Sequence, residues 1–225
     1  LLKDVNYFGT MLVYMGEVEG LVSGAIHSTG DTVRPALQII KTKPGVSRTS
    51  GAFIMSRNAS RFIFADCAIN TTIDAQGLAE IAVESAKTAK AFNINPKVAM
   101  LSFSTYGSAK TEETLKVAEA TKLVREKAPT LPVGGEMQFD AAYVPPVAKL
   151  KAPNSEIQGD ANVFIFPSLE AGNIGYKIAE RLGGFEAVGP ILQGLNAPVN
   201  DLSRGCSSID VLKLALITAV QALEK

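Results

Sequence analysis

The sequence contains little of the chemistry that most metal centres and histidine-dependent catalysts require. It has one histidine, His27, two cysteines, Cys67 and Cys206, and no tryptophan among its 225 residues. The cysteines are far apart and match no spacing typical of metal ligands, and His27 has no second histidine beside it. We therefore expect no metal site, no catalytic triad built on several histidines and no disulfide scaffold.

Charge and hydropathy exclude two further classes of protein. Lysine plus arginine and aspartate plus glutamate each number 22, so the chain lacks the basic excess with which nucleic-acid-binding proteins contact phosphates. Its apolar runs are much shorter than the roughly 20 residues that span a bilayer. With 47% hydrophobic and 20% charged residues, the composition is that of a globular protein. We expect neither a nucleic-acid nor a membrane partner.

Short β-type runs alternate with longer helical runs, which is typical of an α/β fold with mostly parallel sheets. The predicted strands cover 20–26, 49–55, 61–68, 98–104, 135–140, 162–167 and 188–194. The predicted helices cover the N-terminal residues up to Met15, then 31–41, 74–92, 111–128, 172–184 and 207–224. The runs 49–55 and 61–68 flank a turn at Asn58 and are predicted to form a hairpin, so part of the sheet is antiparallel.

Two stretches rich in proline and glycine, 41–51 and 189–200, are the predicted domain boundaries. With both in place, residues 1–44 and 191–225 form a first, discontinuous domain, and residues 45–190 form a second domain inserted into it. Because the chain opens at Leu1 inside a helical pattern, we expect it to begin within the first domain and to leave that domain incomplete.

The segment NDLSRGCSSID, residues 200–210, carries the strongest chemical signal. It lies between a predicted strand and the last helix, at the position where open α/β sheets bind ligands. Ser203, Arg204 and the backbone N–H groups before a helix suit a phosphate or a developing oxyanion. The alternative is structural, because Ser207 and Asp210 have the spacing of a capping box and Ser203 then lies in a simple turn.

A second loop of this type is HSTGDTVRP, residues 27–35. It places Ser28 in a turn, Thr32 as the predicted helix cap, and Arg34 and Pro35 in the first helical turn. A cation in the first turn opposes the helix dipole, which favours contact between Arg34 and an anion. An exposed surface arginine is the alternative.

Three further residues carry weaker chemical signals. Ser104 belongs to a Ser/Gly loop, SFSTYGSAK, that could form an anion nest but lacks P-loop spacing. Asn173 begins the predicted helix that follows residues 162–167. Cys206 lies near a helix N-terminus, where a thiolate could form a covalent acyl-enzyme, or it is a small buried apolar side chain.

Four strings of the chain resemble bacterial phosphate acetyltransferase (phosphotransacetylase): SGAIHSTGDTVRPALQIIKT, AMLSFSTYGSAK, GDANVFIFPSLEAGNIGYKIAERL and GPILQGLNAPVNDLSRGCSSIDV. The similarity runs essentially from end to end. It implies the isocitrate/isopropylmalate-dehydrogenase-like fold, with two α/β domains, a cleft between them and a homodimer. It also implies the reaction acetyl-CoA + phosphate ⇌ CoA + acetyl phosphate, with coenzyme A as substrate and with no metal or tightly bound cofactor.

The resemblance also implies roles for individual residues. Ser203 would hydrogen-bond the thioester carbonyl as its oxyanion develops, and Arg204 and Arg34 would hold and orient phosphate. Asp210 would accept the thiol proton when CoA attacks acetyl phosphate, although an aspartate at a helix N-terminus should have a lowered pKa and be a weak base. Transfer would be direct, in a ternary complex, so Cys206 would not be acylated. Further substrate contacts are expected from Ser28, Ser104 and Asn173.

Two alternatives stay open. Phosphate butyryltransferase differs in its acyl pocket, and one methylene changes discrimination by only about 1–3 kcal/mol. A non-catalytic phosphotransacetylase-like module would bind acetyl-CoA as a sensor without turning it over. The set formed by Ser203, Arg204, Asp210 and Arg34 argues against the sensor.

Two expectations concern context and length. Members of the family normally carry a further N-terminal segment, with another substrate-binding arginine, and this chain begins downstream of it. The absence of a targeting signal, the few cysteines and the acetyl-CoA substrate pool lead us to expect a cytoplasmic protein of acetate metabolism. The homodimer is expected to form through helices of residues 45–190.

Overall fold

A computed structural model describes residues 1–223 of the chain. The chain divides into two compact units. Unit 1 comprises Leu1–Phe53 and the chain from Val188 onward, and unit 2 comprises Ile54–Ala187. Both changeovers lie inside β-strands, and neither lies within the stretch 41–51 or 189–200 that the sequence suggested.

The helices are α1 Val5–Met15, α2 Thr29–Pro35, α3 Ala75–Ala91, α4 Glu112–Lys127, α5 Phe139–Tyr143, α6 Pro145–Lys151, α7 Leu169–Arg181 and α8 Ser208–Leu223. A single π-helical turn, Ala36–Ile40, follows α2. The strands are β1 Leu21–Ser23, β2 Ser50–Arg57, β3 Ser60–Ala65, β4 Val98–Leu101, β5 Val133–Met137, β6 Val163–Ile165, β7 Glu186–Gln193 and β8 Val199–Asp201. The predicted end of the last helix, at residue 224, lies outside the described residues.

In unit 1, β1 and β8 form a two-stranded parallel sheet. Leu21 lies opposite Val199, and Ser23 lies opposite Asp201. The prediction of a buried strand over 20–26 is wrong in length and in burial, because β1 has three residues and all of them are half-buried. Within residues 1–223, β8 is the one strand that pairs with β1.

The helix after β1 differs from the prediction at both ends. It begins at Thr29, and its cap is Ser28, whose Oγ accepts a hydrogen bond from the N–H of Asp31. Thr32 is therefore no cap, and Pro35 is the last residue of α2, directly before the π-helical turn. Arg34 lies in the last turn, where a cation suits the helix dipole, so the argument that it needs an anion there fails.

Unit 2 contains the whole of β3, β4, β5 and β6 and the part of β2 from Ile54 onward, in the sheet order β5-β4-β6-β3-β2. The neighbours among β3, β6, β4 and β5 are parallel, and the two-residue connection between β2 and β3 makes that pair an antiparallel hairpin. Asn58 in this connection has φ 55°, which an asparagine tolerates better than most residues. The α/β class, the mostly parallel sheet and the hairpin are thus confirmed.

The sequence did not predict two short helices of unit 2, and it predicted the start of a third helix three residues too late. The predicted strand 135–140 ends at Met137, and helices α5 and α6 follow it. Pro145 and Pro146 stand at the start of α6, where proline is well accepted, although a proline pair in sequence suggests a loop. Helix α7 begins at Leu169 because the side chain of Ser168 caps it through the N–H of Ala171.

Helix α7 packs closely on the loop after β3. A Cβ on Gly172 would lie 2.2 Å from the carbonyl oxygen of Asp66, so only glycine permits this approach. The side chain of Asp66 holds the same loop in place by accepting hydrogen bonds from the N–H groups of Ala68, Ile69 and Asn70. The loop and the helix therefore fix each other.

We expect Gly172→Ala to lower the free energy of unfolding by about 2 kcal/mol, because the added methyl forces backbone atoms apart. Gly30→Ala is the matched control, since Gly30 is also helical and its nearest neighbour to a new Cβ is Ser28 Oγ at 3.8 Å. It should leave stability unchanged or slightly raised. Denaturant titration followed by circular dichroism measures both, and equal stabilities would contradict the close packing.

Candidate active site

In unit 1, two loops begin at the carboxyl ends of neighbouring parallel strands. Ser23 ends β1 and Asp201 ends β8, directly opposite each other. Residues 24–28 follow the first strand and residues 202–207 follow the second. This is the edge at which α/β sheets bind ligands. The structure thus places all five predicted site residues of this unit on these loops or on the helices that follow them: Ser28, Arg34, Ser203, Arg204 and Asp210.

The two loops are in direct contact where they begin. The N–H of Leu202 donates a 2.6 Å hydrogen bond to the carbonyl oxygen of Ser23. Gly24 has φ 104°, and a Cβ there would lie 2.2 Å from Asp201 Oδ1 and 2.5 Å from the carbonyl oxygen of Leu202. Only glycine fits between the strand ends, so the position of one loop depends on that of the other.

Ser203 and Arg204 are exposed at the tip of the second loop. The Ser203 hydroxyl donates one long hydrogen bond of 3.5 Å to the carbonyl oxygen of Arg204. The N–H of Cys206 donates to the carbonyl oxygen of Ser203 and closes the turn. A hydroxyl held so weakly can turn toward a substrate oxygen at little cost.

Arg34 and Ser28 flank the first loop. Arg34 is well exposed, and its guanidinium lies 3.9 Å from Asp31 in a surface ion pair, which contributes little to stability. Ser28 is the N-cap of α2 and donates a 2.7 Å hydrogen bond to the Asp31 carboxylate. Arg34 is therefore available to an anion, whereas Ser28 already has a structural role.

Asp210 forms the capping box that the sequence pattern indicated. Its Oδ2 accepts hydrogen bonds of 2.8 Å from both the N–H and the hydroxyl of Ser207, and its own N–H donates to Ser207 Oγ. These bonds from Ser207, first the backbone one and then the side-chain one, lower the pKa of Asp210. The expected lowering of its pKa is thus confirmed, and at neutral pH Asp210 is an ionised acceptor.

The two predicted substrate contacts in unit 2 have local roles. Ser104 is fully buried, donates a 2.9 Å hydrogen bond to Glu136 and accepts one from the N–H of Ala109, so it supports its own loop and does not reach solvent. Asn173 is half-buried, donates to the carbonyl oxygen of Cys67 and accepts from Lys177 Nζ. Contact between Ser104 and a substrate would require the loop to rearrange.

The two cysteines lie in different environments. Cys67 is buried, and that burial, helped by the nearby Asp66 carboxylate, raises the pKa of its thiol well above the usual range. Cys206 is half-buried in the loop between β8 and α8. A raised thiol pKa leaves Cys67 protonated and unreactive at neutral pH.

One buried carboxyl at the base of the site was not predicted from the sequence. Asp201 is 1% exposed, and its Oδ2 accepts a 2.7 Å hydrogen bond from the hydroxyl of Thr29. Burial raises the pKa of Asp201, and the Thr29 and Thr32 hydroxyls act in the opposite direction. An aspartate two positions before Ser203 was the available signal, but its burial depends on the fold of the whole unit.

Unit 2 has an open cavity of about 510 Å³ at the carboxyl ends of β3, β4 and β6. Hydroxyl side chains and a cation contribute to its lining, among them Thr71, Thr72, Ser102, Lys116 and Ser168. The Lys116 ammonium lies 2.6 Å from Glu113, so its charge is already paired.

The described part of the chain, residues 1–223, contains no group of three or more His, Cys, Asp or Glu residues that could hold a metal ion. No helix in that range is long and apolar enough to cross a membrane.

Comparison with known proteins decides the family. A model of the phosphate acetyl/butaryl transferase family matches residues 1–219. The chain belongs to this family. It is 73% identical to the phosphate acetyltransferase of Bacillus subtilis (strain 168) over 99% of its own length and 69% of that protein.

Two solved structures of the family agree with this assignment. A phosphotransacetylase from Streptococcus pyogenes superposes with a TM-score of 0.97 at 65% identity, over all of this chain and 69% of the other. The EutD phosphotransacetylase from Staphylococcus aureus superposes with a TM-score of 0.93 at 69% identity, over 98% of this chain and 68% of the other. The resemblance predicted from the four sequence strings is confirmed.

We expect one cysteine per chain to react with a thiol reagent in the native state and both to react after denaturation. Cys206→Ser should abolish the native reaction, whereas Cys67→Ser should leave it in place, because Cys67 is buried with a raised thiol pKa. Reaction with 5,5′-dithiobis(2-nitrobenzoate) measures both. Native labelling that persists in Cys206→Ser would show that Cys67 is accessible.

Proposed function

We propose that the chain catalyses acetyl-CoA + phosphate ⇌ CoA + acetyl phosphate by direct transfer in a ternary complex. The activity follows from relatives that carry this name at about 70% identity along the whole chain. For the mechanism, the observation that carries the proposal is that the helix with Arg34 and the loop with Ser203–Arg204 follow two neighbouring strands whose ends touch. Coenzyme A is then a substrate and not a resident cofactor.

In this mechanism a phosphate oxygen attacks the carbonyl carbon of the thioester. Arg34 and Arg204 offset the charge of phosphate and orient it, which is the main task because phosphate is already a nucleophile. The Ser203 hydroxyl donates to the carbonyl oxygen as negative charge develops there. Collapse of this tetrahedral species breaks the carbon–sulfur bond and releases CoA as a thiolate, which then takes up a proton.

In the reverse direction, the thiol of CoA must lose its proton before it attacks acetyl phosphate. Asp210 is the proposed acceptor of this proton. Its lowered pKa keeps it ionised and ready to accept, but also makes it a weak base for a thiol. Bound substrates that exclude water from the carboxylate would raise its pKa and strengthen it as a base.

Two sets of observations bear on the alternatives. The exposed and weakly engaged Ser203, with Arg34 in only a weak surface ion pair, favours turnover over a sensor that merely binds acetyl-CoA. The family description covers both acetyl and butyryl transfer, so membership alone does not distinguish the two acyl groups. We propose acetyl as the preferred group because the relatives at about 70% identity carry that name.

We further propose a cytoplasmic homodimer that forms through helices of unit 2. Helix α7 presents Ile174 and Ile178, and its C-cap Leu182 continues the four-residue spacing; these side chains are 58%, 53% and 85% exposed. Residues four apart lie on one face of a helix, so they form an apolar stripe that a second copy could cover. The sedimentation coefficient of the active enzyme reports this state.

The central prediction concerns phosphate-dependent release of CoA thiol from acetyl-CoA. We expect Ser203→Ala to lower kcat about 10²-fold, the loss typical of removing one oxyanion donor. We expect Arg34→Ala mainly to raise the KM for phosphate. Ser60→Ala and Arg61→Ala, exposed positions of unit 2, are matched controls that should behave as wild type.

The same assay with propionyl-CoA and butyryl-CoA measures acyl preference. A higher kcat/KM with butyryl-CoA would replace acetyl by butyryl transfer in the proposal. Wild-type kinetics in both Ser203→Ala and Arg34→Ala would show that this edge of unit 1 is not the active site.

The role of Asp210 predicts a difference between two pH profiles in the direction that starts from CoA and acetyl phosphate. In free enzyme the lowered pKa keeps Asp210 ionised throughout the neutral and mildly acidic range, so kcat/KM should show no acid limb from it there. If bound substrates raise its pKa, kcat should fall as the pH drops through the new value. Asp210→Asn should remove that limb and lower kcat about 10²-fold.

Glu112→Gln is the matched control for Asp210→Asn, because Glu112 is an exposed acid in the first turn of another long helix. It should leave both profiles unchanged. Near-normal turnover by Asp210→Asn would remove Asp210 from the mechanism and leave it as a helix cap.

A further inference from the structure

A group of buried and half-buried polar side chains lies where the two loops of the site begin. We call it the strand-end cluster, and it comprises Asn6, Ser23, Thr29 and Asp201. Ser23 and Asp201 are register partners on β1 and β8, so their side chains lie on the same face of the sheet. The Ser23 hydroxyl donates a 2.5 Å hydrogen bond to Asn6 Oδ1, and the Thr29 hydroxyl donates one of 2.7 Å to Asp201 Oδ2.

Asp201 is unusual within this cluster. It is 1% exposed, and its second oxygen, Oδ1, is buried without a hydrogen-bond partner among the described residues. That oxygen lies against Gly24, where a Cβ would be only 2.2 Å away. A buried carboxyl with one unsatisfied oxygen destabilises a fold. Its presence here therefore suggests a role that a purely apolar core could not provide.

The hydrogen bond between Thr29 and Asp201 joins the two elements that carry the proposed substrate-binding groups. Thr29 is the first residue of α2, and the same short helix bears Arg34. Asp201 is the last residue of β8, and the loop with Ser203 follows it at once. The two residues are 172 positions apart in sequence, so this bond is a long-range link.

Acyl transfer requires phosphate and the thioester carbonyl to be held at reacting distance. Arg34 acts on phosphate and Ser203 acts on the carbonyl oxygen, so the spacing between their two elements sets that distance. A shift of about 1 Å in such a spacing can cost a large factor in rate. A link at the base of both elements is well placed to prevent the shift.

We propose that Asp201 is a positioning residue for acyl transfer, which sets the spacing between the Arg34 helix and the Ser203–Arg204 loop through its hydrogen bond with Thr29. This inference rests on the function proposed above. Asp201 acts through these neighbours and is itself too deeply buried to touch a substrate.

The test compares Thr29→Val with Thr29→Ser. Valine has nearly the shape of threonine but lacks the hydroxyl, whereas serine keeps the donor. Thr29→Val should raise the KM for phosphate about tenfold or more, within the range that small misplacements cause. Thr29→Ser should stay within about twofold of wild type, because rescue follows the hydrogen bond and not the side-chain shape.

The KM for phosphate separates positioning from stability. A purely structural role would lower the thermal midpoint and the fraction of active enzyme, and thus the apparent kcat, without changing KM. Asp201→Asn keeps an oxygen that can accept from Thr29 and should retain the wild-type KM. Asp201→Ala should raise the KM at least as much as Thr29→Val, because it also removes the interaction of Asp201 with the Thr32 hydroxyl. The double variant should be no worse than Asp201→Ala alone, which already lacks the bond to Thr29.

The comparison of Thr29→Val with Thr29→Ser tests the inference even if Asp201→Ala fails to fold. A wild-type KM for phosphate in Thr29→Val, or equal impairment of Thr29→Ser and Thr29→Val, would overturn it. Arg34→Ala, run in parallel, separates this failure from that of the proposed function. If Arg34→Ala is impaired and Thr29→Val is not, only the positioning role is wrong. If Arg34→Ala and Ser203→Ala both behave as wild type, the proposed active site is wrong as well.

Discussion

The parallel pairing of β1 with β8 is the contact on which the site of unit 1 depends. Each strand has three residues, yet their register places Ser23 opposite Asp201 and makes both loops start at one edge. The pairing brings together segments from the two ends of the chain, which are separated by all of unit 2. Every proposed contact with phosphate or with the thioester follows from this short ladder and from the close approach at Gly24.

Structural and chemical roles coincide in several residues of the site. Asp210 and Ser207 form a capping box, and the same hydrogen bonds set the ionisation of the proposed base. Ser28 caps α2 and holds Asp31, which in turn lies near Arg34. A pattern that indicates a helix cap does not exclude catalysis, since the N-terminus of a helix favours both a capping carboxylate and a bound anion.

Sequence reasoning succeeded where local signals and tertiary packing agree. The helices predicted over 74–92 and 111–128 and the hairpin at Asn58 all appear in the structure. It failed where a neighbour intervened. Pro35 was expected to open a helix and instead ends α2, because Ser28 starts that helix earlier. Ser104, a predicted substrate contact, is buried and donates a hydrogen bond to Glu136 on β5, which its local sequence does not indicate.

The sequence by itself determined the family, the α/β class and the segment that holds Ser203, Arg204 and Asp210, because uncommon strings and local periodicity require no knowledge of distant contacts. Only the tertiary structure decided which polar groups are buried and which are open to substrate. Asp201 and Ser203 are two positions apart, yet one is enclosed by Thr29 and Gly24 and the other is exposed. That difference arises from chain segments more than 170 residues away, which no local pattern encodes.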